Sequence, residues 1–174
     1  MKINDAINLI NDESLRYPAN AVWADLGCGS GLFSYALANI LQPGSLVYAI
    51  DKATKKRSAL QNPGNIVIKQ KRLDFITDQL ELTNLDGILM ANSLHFAKDK
   101  TVLIKKLSKS LKENRGFLIV EYDTDNPNPW VPYPVSYLSL KKLFNDTGYN
   151  EVRKINERPS ALRTASIYAA IINR

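Results

Sequence analysis

One stretch, Ala24-Asp25-Leu26-Gly27-Cys28-Gly29-Ser30-Gly31-Leu32-Phe33-Ser34, constrains what this chain can fold into more than any other. Ahead of it, Ala21-Val22-Trp23-Ala24 reads as the end of a buried strand. Behind it, Leu32, Phe33, Tyr35, Ala36, Leu37, Ile40 and Leu41 fall at helical spacing. Alternate glycines between a strand and a helix N-terminus admit positive φ and let a ligand approach the backbone, since no Cβ stands in the way. A strand that turns through glycines into a helix is a recurrent nucleotide-cofactor device.

The other signals alternate strand with helix. Ile3, Ala6, Ile7 and Ile10 predict an amphipathic helix over residues 3 to about 16, ended by Tyr17-Pro18. The first strand covers 21–26, and the helix after the glycine turn runs to about residue 41, where Gln42-Pro43-Gly44-Ser45 stops it. A second strand over 46–50 is almost wholly apolar, as in a strand covered on both faces, and delivers Asp51 at its end. A basic helix over 54–61 and a turn over 62–65 follow. A third strand begins at Ile66-Val67-Ile68 and leads to Leu73-Asp74-Phe75, with a short helix expected over 76–82. A fourth strand, 85–91, enters the loop 92–97, and Leu103, Leu107 and Leu111 stripe a helix over 99–113 that Asn114-Arg115-Gly116 closes. The fifth strand is 117–122. Four prolines stiffen the loop 123–134, a helix spans 135–145, and strands over 151–157 and 164–172 are joined by the hairpin-type connection Arg158-Pro159-Ser160-Ala161. The pattern predicts an α/β fold: a doubly wound, mostly parallel sheet with helices on both faces and one antiparallel strand.

At 174 residues the chain is expected to form one domain, 1–174, with an N-terminal helical segment at 1–18 and a candidate substrate loop at 123–134. The lone Cys28 excludes an intrachain disulfide and gives no metal cluster. The first residues lack the apolar core of a signal peptide and no apolar run is long enough to span a bilayer, so a cytoplasmic protein without a membrane span or metal is expected. The net charge of +6 favours contact with anions without naming one. The basic clusters at 52–57 and 98–112 read as solvated faces, with phosphate contact as the competing reading.

Three loop types are to be compared. A phosphate-binding P-loop needs Lys-Ser/Thr where Leu32-Phe33 stands. A dinucleotide loop needs its third glycine at position 32, and the acidic Asp25 ahead of the glycines is awkward for a pyrophosphate. A cofactor with a cationic end suits the turn better. The spacing Asp25-x-Gly27-x-Gly29-x-Gly31 resembles motif I of the class I S-adenosylmethionine-dependent methyltransferases, and the later signals arrive in that family's order along nearly the whole chain. The resemblance implies a seven-stranded sheet of order 3-2-1-4-5-7-6 with strand 7 reversed. It also implies a cofactor site at Asp25, Gly27, Cys28, Gly29, Ser30, Gly31, Asp51, Lys52, Asp74, Phe75 and Asn92. Asp51, twenty residues beyond Gly31, matches the acidic ribose position. Asp74-Phe75 matches the adenine position, and the Asn92-Ser93-Leu94-His95-Phe96 loop matches the methionine side. Singly, Asp51 and Asp74 also suit helix caps. Lys52 departs from the apolar residue many relatives carry there, though its aliphatic stem can replace it. Cys28 reads as a small filler of the turn.

The resemblance implies methyl transfer from S-adenosylmethionine, leaving S-adenosylhomocysteine. His95, the single histidine, sits after the fourth strand and is expected to face the cleft at the strands' carboxyl ends, which makes it the candidate general base on chemistry, with a packing role as its alternative. Glu121 and Asp123 flank the end of the fifth strand. Trp130, Tyr133 and Tyr137 are candidates for an aromatic wall over an acceptor. Without a separate recognition domain the expected acceptor is a small molecule. Asn92-Ser93-Leu94-His95 stands where amino-methyltransferases carry Asn/Asp-Pro-Pro-Tyr/Phe. RNA or protein acceptors, and a non-catalytic cofactor-binding subunit, are the alternatives.

Overall fold

The apolar runs become the inner strands of one sheet. The computed structural model of the chain describes residues 1–16, 18–53, 63–160 and 165–174. Its strands are β1 (Val22–Leu26), β2 (Leu46–Asp51), β3 (Val67–Arg72), β4 (Leu85–Ala91), β5 (Leu111–Tyr122), β6 (Glu151–Pro159) and β7 (Ser166–Asn173). They lie in the order β3-β2-β1-β4-β5-β7-β6, the order that the resemblance implied. Pairings from β3 through β5 are parallel, and β7 runs antiparallel to both β5 and β6.

Side chains alternate across this sheet, so each face needs its own cover. Helices α1 (Ile3–Ile10) and α2 (Leu32–Ala38) cover one face, packing Leu9, Ile10 and Leu37 with Trp23, Val47, Leu118 and Ile171. Helices α3 (Lys100–Ser108) and α4 (Tyr137–Asn145) cover the other, packing Leu103, Leu107, Leu140 and Phe144 with Leu26, Ile88, Ile119 and Tyr168. Each fully buried Leu, Ile or Phe contributes roughly 1.5–3 kcal/mol, so the two layers hold the strand ends in place. Among the described residues no helix is long and apolar enough to cross a membrane.

Several segments depart from the expected elements, and each time a polar side chain competes with the local pattern. The N-terminal helix stops at Ile10 rather than near residue 16. Asp12 accepts from Ser14 N and Oγ and takes Arg153 of β6 in a two-pronged ion pair, leaving only a 3₁₀ turn at Glu13–Arg16. The helix expected over 76–82 is a turn. Asp74 and Asp78 bond the local backbone, and Lys106 Nζ donates to the carbonyls of Phe75, Ile76 and Asp78. The helix expected to residue 113 ends at Ser108, and Leu111, read as part of its stripe, instead pairs with Leu85. Asp86 is the reason: its buried carboxylate accepts from Val22 N and from Lys112 Nζ, with Arg115 beside it, so 112–115 belong to an irregular entry into β5. Lys106 and Lys112 are thus engaged, not members of a merely solvated face. The helix after the glycine turn ends at Ala38, short of residue 41. The basic helix of 54–61, Asn62 of the turn after it, and 161–164 of the last connection lie outside the described residues.

β5 and β7 approach so closely at Gly116 that a Cβ there would overlap the carbonyl oxygen of Ile172. Backbone cannot swing aside as a side chain can. Gly116→Ala is therefore expected to cost about 2–3 kcal/mol, read as a lower urea midpoint; an unchanged midpoint would contradict this packing.

Candidate cofactor cleft

The strand order reverses between β1 and β4, and such a switch point opens a crevice at the carboxyl ends of the strands. The glycine turn fills its floor. Gly27, Gly29 and Gly31 all have positive φ, at +76°, +55° and +87°. Neighbouring strands hold the turn from both sides. Gly27 N and Cys28 N donate to Ile50 O of β2 at 2.8 and 3.0 Å, and Gly29 N donates to Asp51 Oδ2 at 2.9 Å. From the β4 side, Ser93 Oγ donates to Leu26 O at 2.6 Å. A Cβ on Gly27 would stand 2.6 Å from Ser93 Cβ, so closeness as well as φ demands glycine there. A Cβ on Gly29 would meet no protein atom within 4 Å: that face is open.

The resulting cleft has a volume of about 320 Å³, within the roughly 300–1,000 Å³ range of small-molecule sites. Gly27, Gly29, Asp51, Lys52, Asp74, Phe75 and Asn92, all singled out in the sequence, line it together. Ile76, Ser93 and Phe96 complete the wall. Ser93 and Phe96 belong to the loop that the resemblance set on the methionine side, whereas sequence reasoning missed Ile76, where it expected a short helix. Cys28, Ser30 and Gly31 shape the turn without lining the cleft.

The polar groups of the cleft suit a nucleoside with a charged amino-acid tail. Asp51 Oδ2 and Oδ1 each accept one backbone N–H, from Gly29 and Ala53, which leaves each oxygen a further acceptor direction for a hydroxyl. Asn92 adopts a left-handed φ of +51°, and its Oδ1 is buried with no partner among the described residues. An orphaned acceptor on a cleft wall is costly alone and suits a ligand's N–H donor.

Asp25 does not line the cleft. It is fully buried beneath the turn, with Oδ2 accepting from Ser34 Oγ at 2.5 Å and Oδ1 without a partner among the described residues. Burial, with a smaller contribution from the charge of Asp51, pushes its pKa up to about 7, against hydrogen bonding from Ser34. The unfolded chain gives up this proton near pH 4 while the folded chain keeps it to about 7. The Asp25 contribution to stability is therefore present below about pH 4 and lost as pH rises to about 7. Urea unfolding of wild type and Asp25→Asn at pH 5 and 8 is expected to show wild type losing stability relative to the variant at the higher pH; parallel profiles would contradict a neutral Asp25.

His95 lies in a 3₁₀ turn, Leu94–Phe96, after β4. The expectation that its ring faces the cleft is corrected: the side chain is only 4% exposed, and Phe96 lines the wall instead. Nδ1 lies 2.7 Å from Glu121 Oε2, and Glu121 Oε1 accepts from His95 N, so one buried carboxylate of β5 fixes both ring and backbone. His95 O accepts from Tyr133 N, which ties this turn to the 123–134 loop. That loop is irregular, as expected, and braced. Asp123 and Asp125 bond the start of α4, and Asn128 Oδ1 accepts from Trp130 N and Val131 N. Trp130 and Tyr133 are exposed. Tyr137 is not part of any wall with them: it donates to Val152 O and stacks edge-on against Tyr168 in the core. Among the described residues no group of His, Cys, Asp and Glu is placed to hold a metal.

The glycine turn, Asp51 at the end of β2 and the 3-2-1-4-5-7-6 sheet define a class I S-adenosylmethionine-dependent methyltransferase fold. The family described as "Methyltransferase domain" matches residues 19–160, and the chain belongs to it. A search of curated protein sequences finds no match. Among solved structures the chain is similar to a SAM-dependent methyltransferase from Aquifex aeolicus, at 15% identity and TM-score 0.62, covering 99% of this chain and 98% of that one. It is similar to Burkholderia thailandensis 1,6-didemethyltoxoflavin-N1-methyltransferase, bound to its namesake compound and S-adenosylhomocysteine, at 14% identity and TM-score 0.70 over 99% and 77% of the two chains. Human N-acetylserotonin methyltransferase in complex with SAM follows at 20% identity and TM-score 0.66, over 98% of this chain and 50% of that one. At these identities the likeness is one of fold.

Proposed function

We propose that the protein transfers a methyl group from S-adenosylmethionine to a small-molecule acceptor. The observation that carries this reading is Asp51: its carboxylate is anchored by Gly29 N and Ala53 N on the cleft wall and keeps acceptor capacity for a ribose diol. Asp74 serves the adenine edge, Phe75 packs beside the ring, and the stem of Lys52 covers it. Asn92 Oδ1 accepts from the amino group of the methionine end. The backbone of Gly27 and Gly29 gives the cofactor room, and Asp25, Cys28, Ser30 and Gly31 hold the turn that provides it. When bound, the cofactor supplies an electrophilic methyl on a sulfonium. The small-molecule reading is supported by the size of the cleft and by the compounds named for two of the similar structures.

The chain's own contribution is positioning. Buried on Glu121 and absent from the cleft wall, His95 takes the packing alternative: it is a positioning residue that holds the turn presenting Phe96. His95→Ala takes the ring partner from the buried Glu121 and is expected to cost about 2–3 kcal/mol, read as a lower urea midpoint. An unchanged midpoint would contradict that supporting role.

Calorimetry with S-adenosylmethionine and S-adenosylhomocysteine tests the central reading. Wild type is expected to bind both, and Asp51→Ala to lose about ten- to a hundredfold in affinity, the worth of hydrogen bonds to a charged group. No binding by wild type would overturn it.

A further inference from the structure

The cleft opens beside exposed apolar side chains with an ammonium among them. Phe96 is 51% exposed, Tyr133 40% and Ile76 37%, unusual exposure for large apolar side chains gathered at one place. The hydrogen bond from Tyr133 N to His95 O fixes the 123–134 loop against the turn that carries Phe96, so Phe96 and Tyr133 belong to one braced patch.

Lys100, the first residue of α3, belongs to the same patch. Its Nζ donates to Ala97 O at 3.1 Å and stands 5.8 Å from the centroid of the Tyr133 ring. The side chain is half-buried, and burial lowers its pKa against the opposing charges of Glu121 and Asp125. Those two carboxylates are engaged elsewhere, Glu121 by His95 and Asp125 by Ser136 and Ser139. Among the described residues Lys100 has one neutral acceptor and no carboxylate within ion-pair distance. Lys154 and Lys112, by contrast, each sit on a carboxylate. An ammonium partly removed from water with donors to spare is relieved by an anion, and a charge-assisted bond in that setting is among the stronger ones.

We propose that Phe96, Tyr133 and Lys100 form the acceptor-recognition edge of the site, and that the acceptor is a flat apolar molecule bearing a negatively charged group. This rests on the methyltransferase reading above. The aromatic side chains receive the planar body, and the ammonium of Lys100 selects the anion.

The test uses 2-naphthoate and its neutral isostere 2-naphthamide as probes, titrated into protein saturated with S-adenosylhomocysteine and followed by NMR shift perturbation. Wild type is expected to bind the naphthoate about tenfold or more tighter than the amide. Lys100→Met, which keeps the apolar stem, is expected to equalise the two, and Lys100→Arg to retain the preference. Equal affinities on wild type, no binding of either probe, or a preference that survives in Lys100→Met would each overturn the proposal. Should Lys100→Met not fold, loss of the preference in Lys100→Arg or in wild type at equal occupancy would overturn it likewise. Failure of wild type to bind S-adenosylhomocysteine in the first step would instead bring down the methyltransferase reading, and this one with it.

Discussion

The site depends on a backbone clamp: the turn after β1 has no conformation of its own and takes one from its neighbours. Ile50 O receives two successive N–H groups, Asp51 receives a third, and Ser93 grips Leu26 O from the opposite side. The clamp works only because β1 and β2 are paired with Leu26 beside Ile50. A slip of one residue would turn Asp51 to the other face of the sheet and leave the turn's N–H groups without acceptors. The helices that bury the two faces of the sheet act on the site through this register. The cleft is in that sense a product of the core.

Where the sequence and the structure part, the hydrophobic period was sound but local. Leu111 does fall in a helical stripe with Leu103 and Leu107, yet a carboxylate far away in sequence, Asp86, draws Lys112 and Arg115 out of that helix and into the sheet. Asp12 does the same to the first helix through Arg153 of β6. Nothing within a helix-length window announces either partner. The inner strands were legible because burial on both faces writes itself as an apolar run, as in Gly87–Ala91 of β4 and Ile167–Ile172 of β7.

The site was legible where backbone geometry dictates residue type and less so where side-chain direction matters. Glycines at positive φ and acids at strand ends follow from chain path, so Gly27, Gly29 and Asp51 could be named in advance. The three-residue turn after β4 decides that Phe96 meets the cleft while His95 is buried on Glu121, and no spacing rule encodes that choice. Asp25 was legible as a position but not as a state: only full enclosure beside Ser34 makes an acid that holds its proton near neutrality.

The reversed strand β7 has a consequence for assembly. β6 comes before β7 in the chain, yet its sheet partner is β7, which in turn leans on β5. β6 therefore has nothing to add to until the later segment has threaded between it and the parallel strands. Local hairpin contacts are available early, but docking on β5 needs a register fixed across about fifty residues, the kind of loop closure that slows folding. The β6–β7 edge is thereby expected to complete last, and the cleft's strands can settle their register before the sheet is closed.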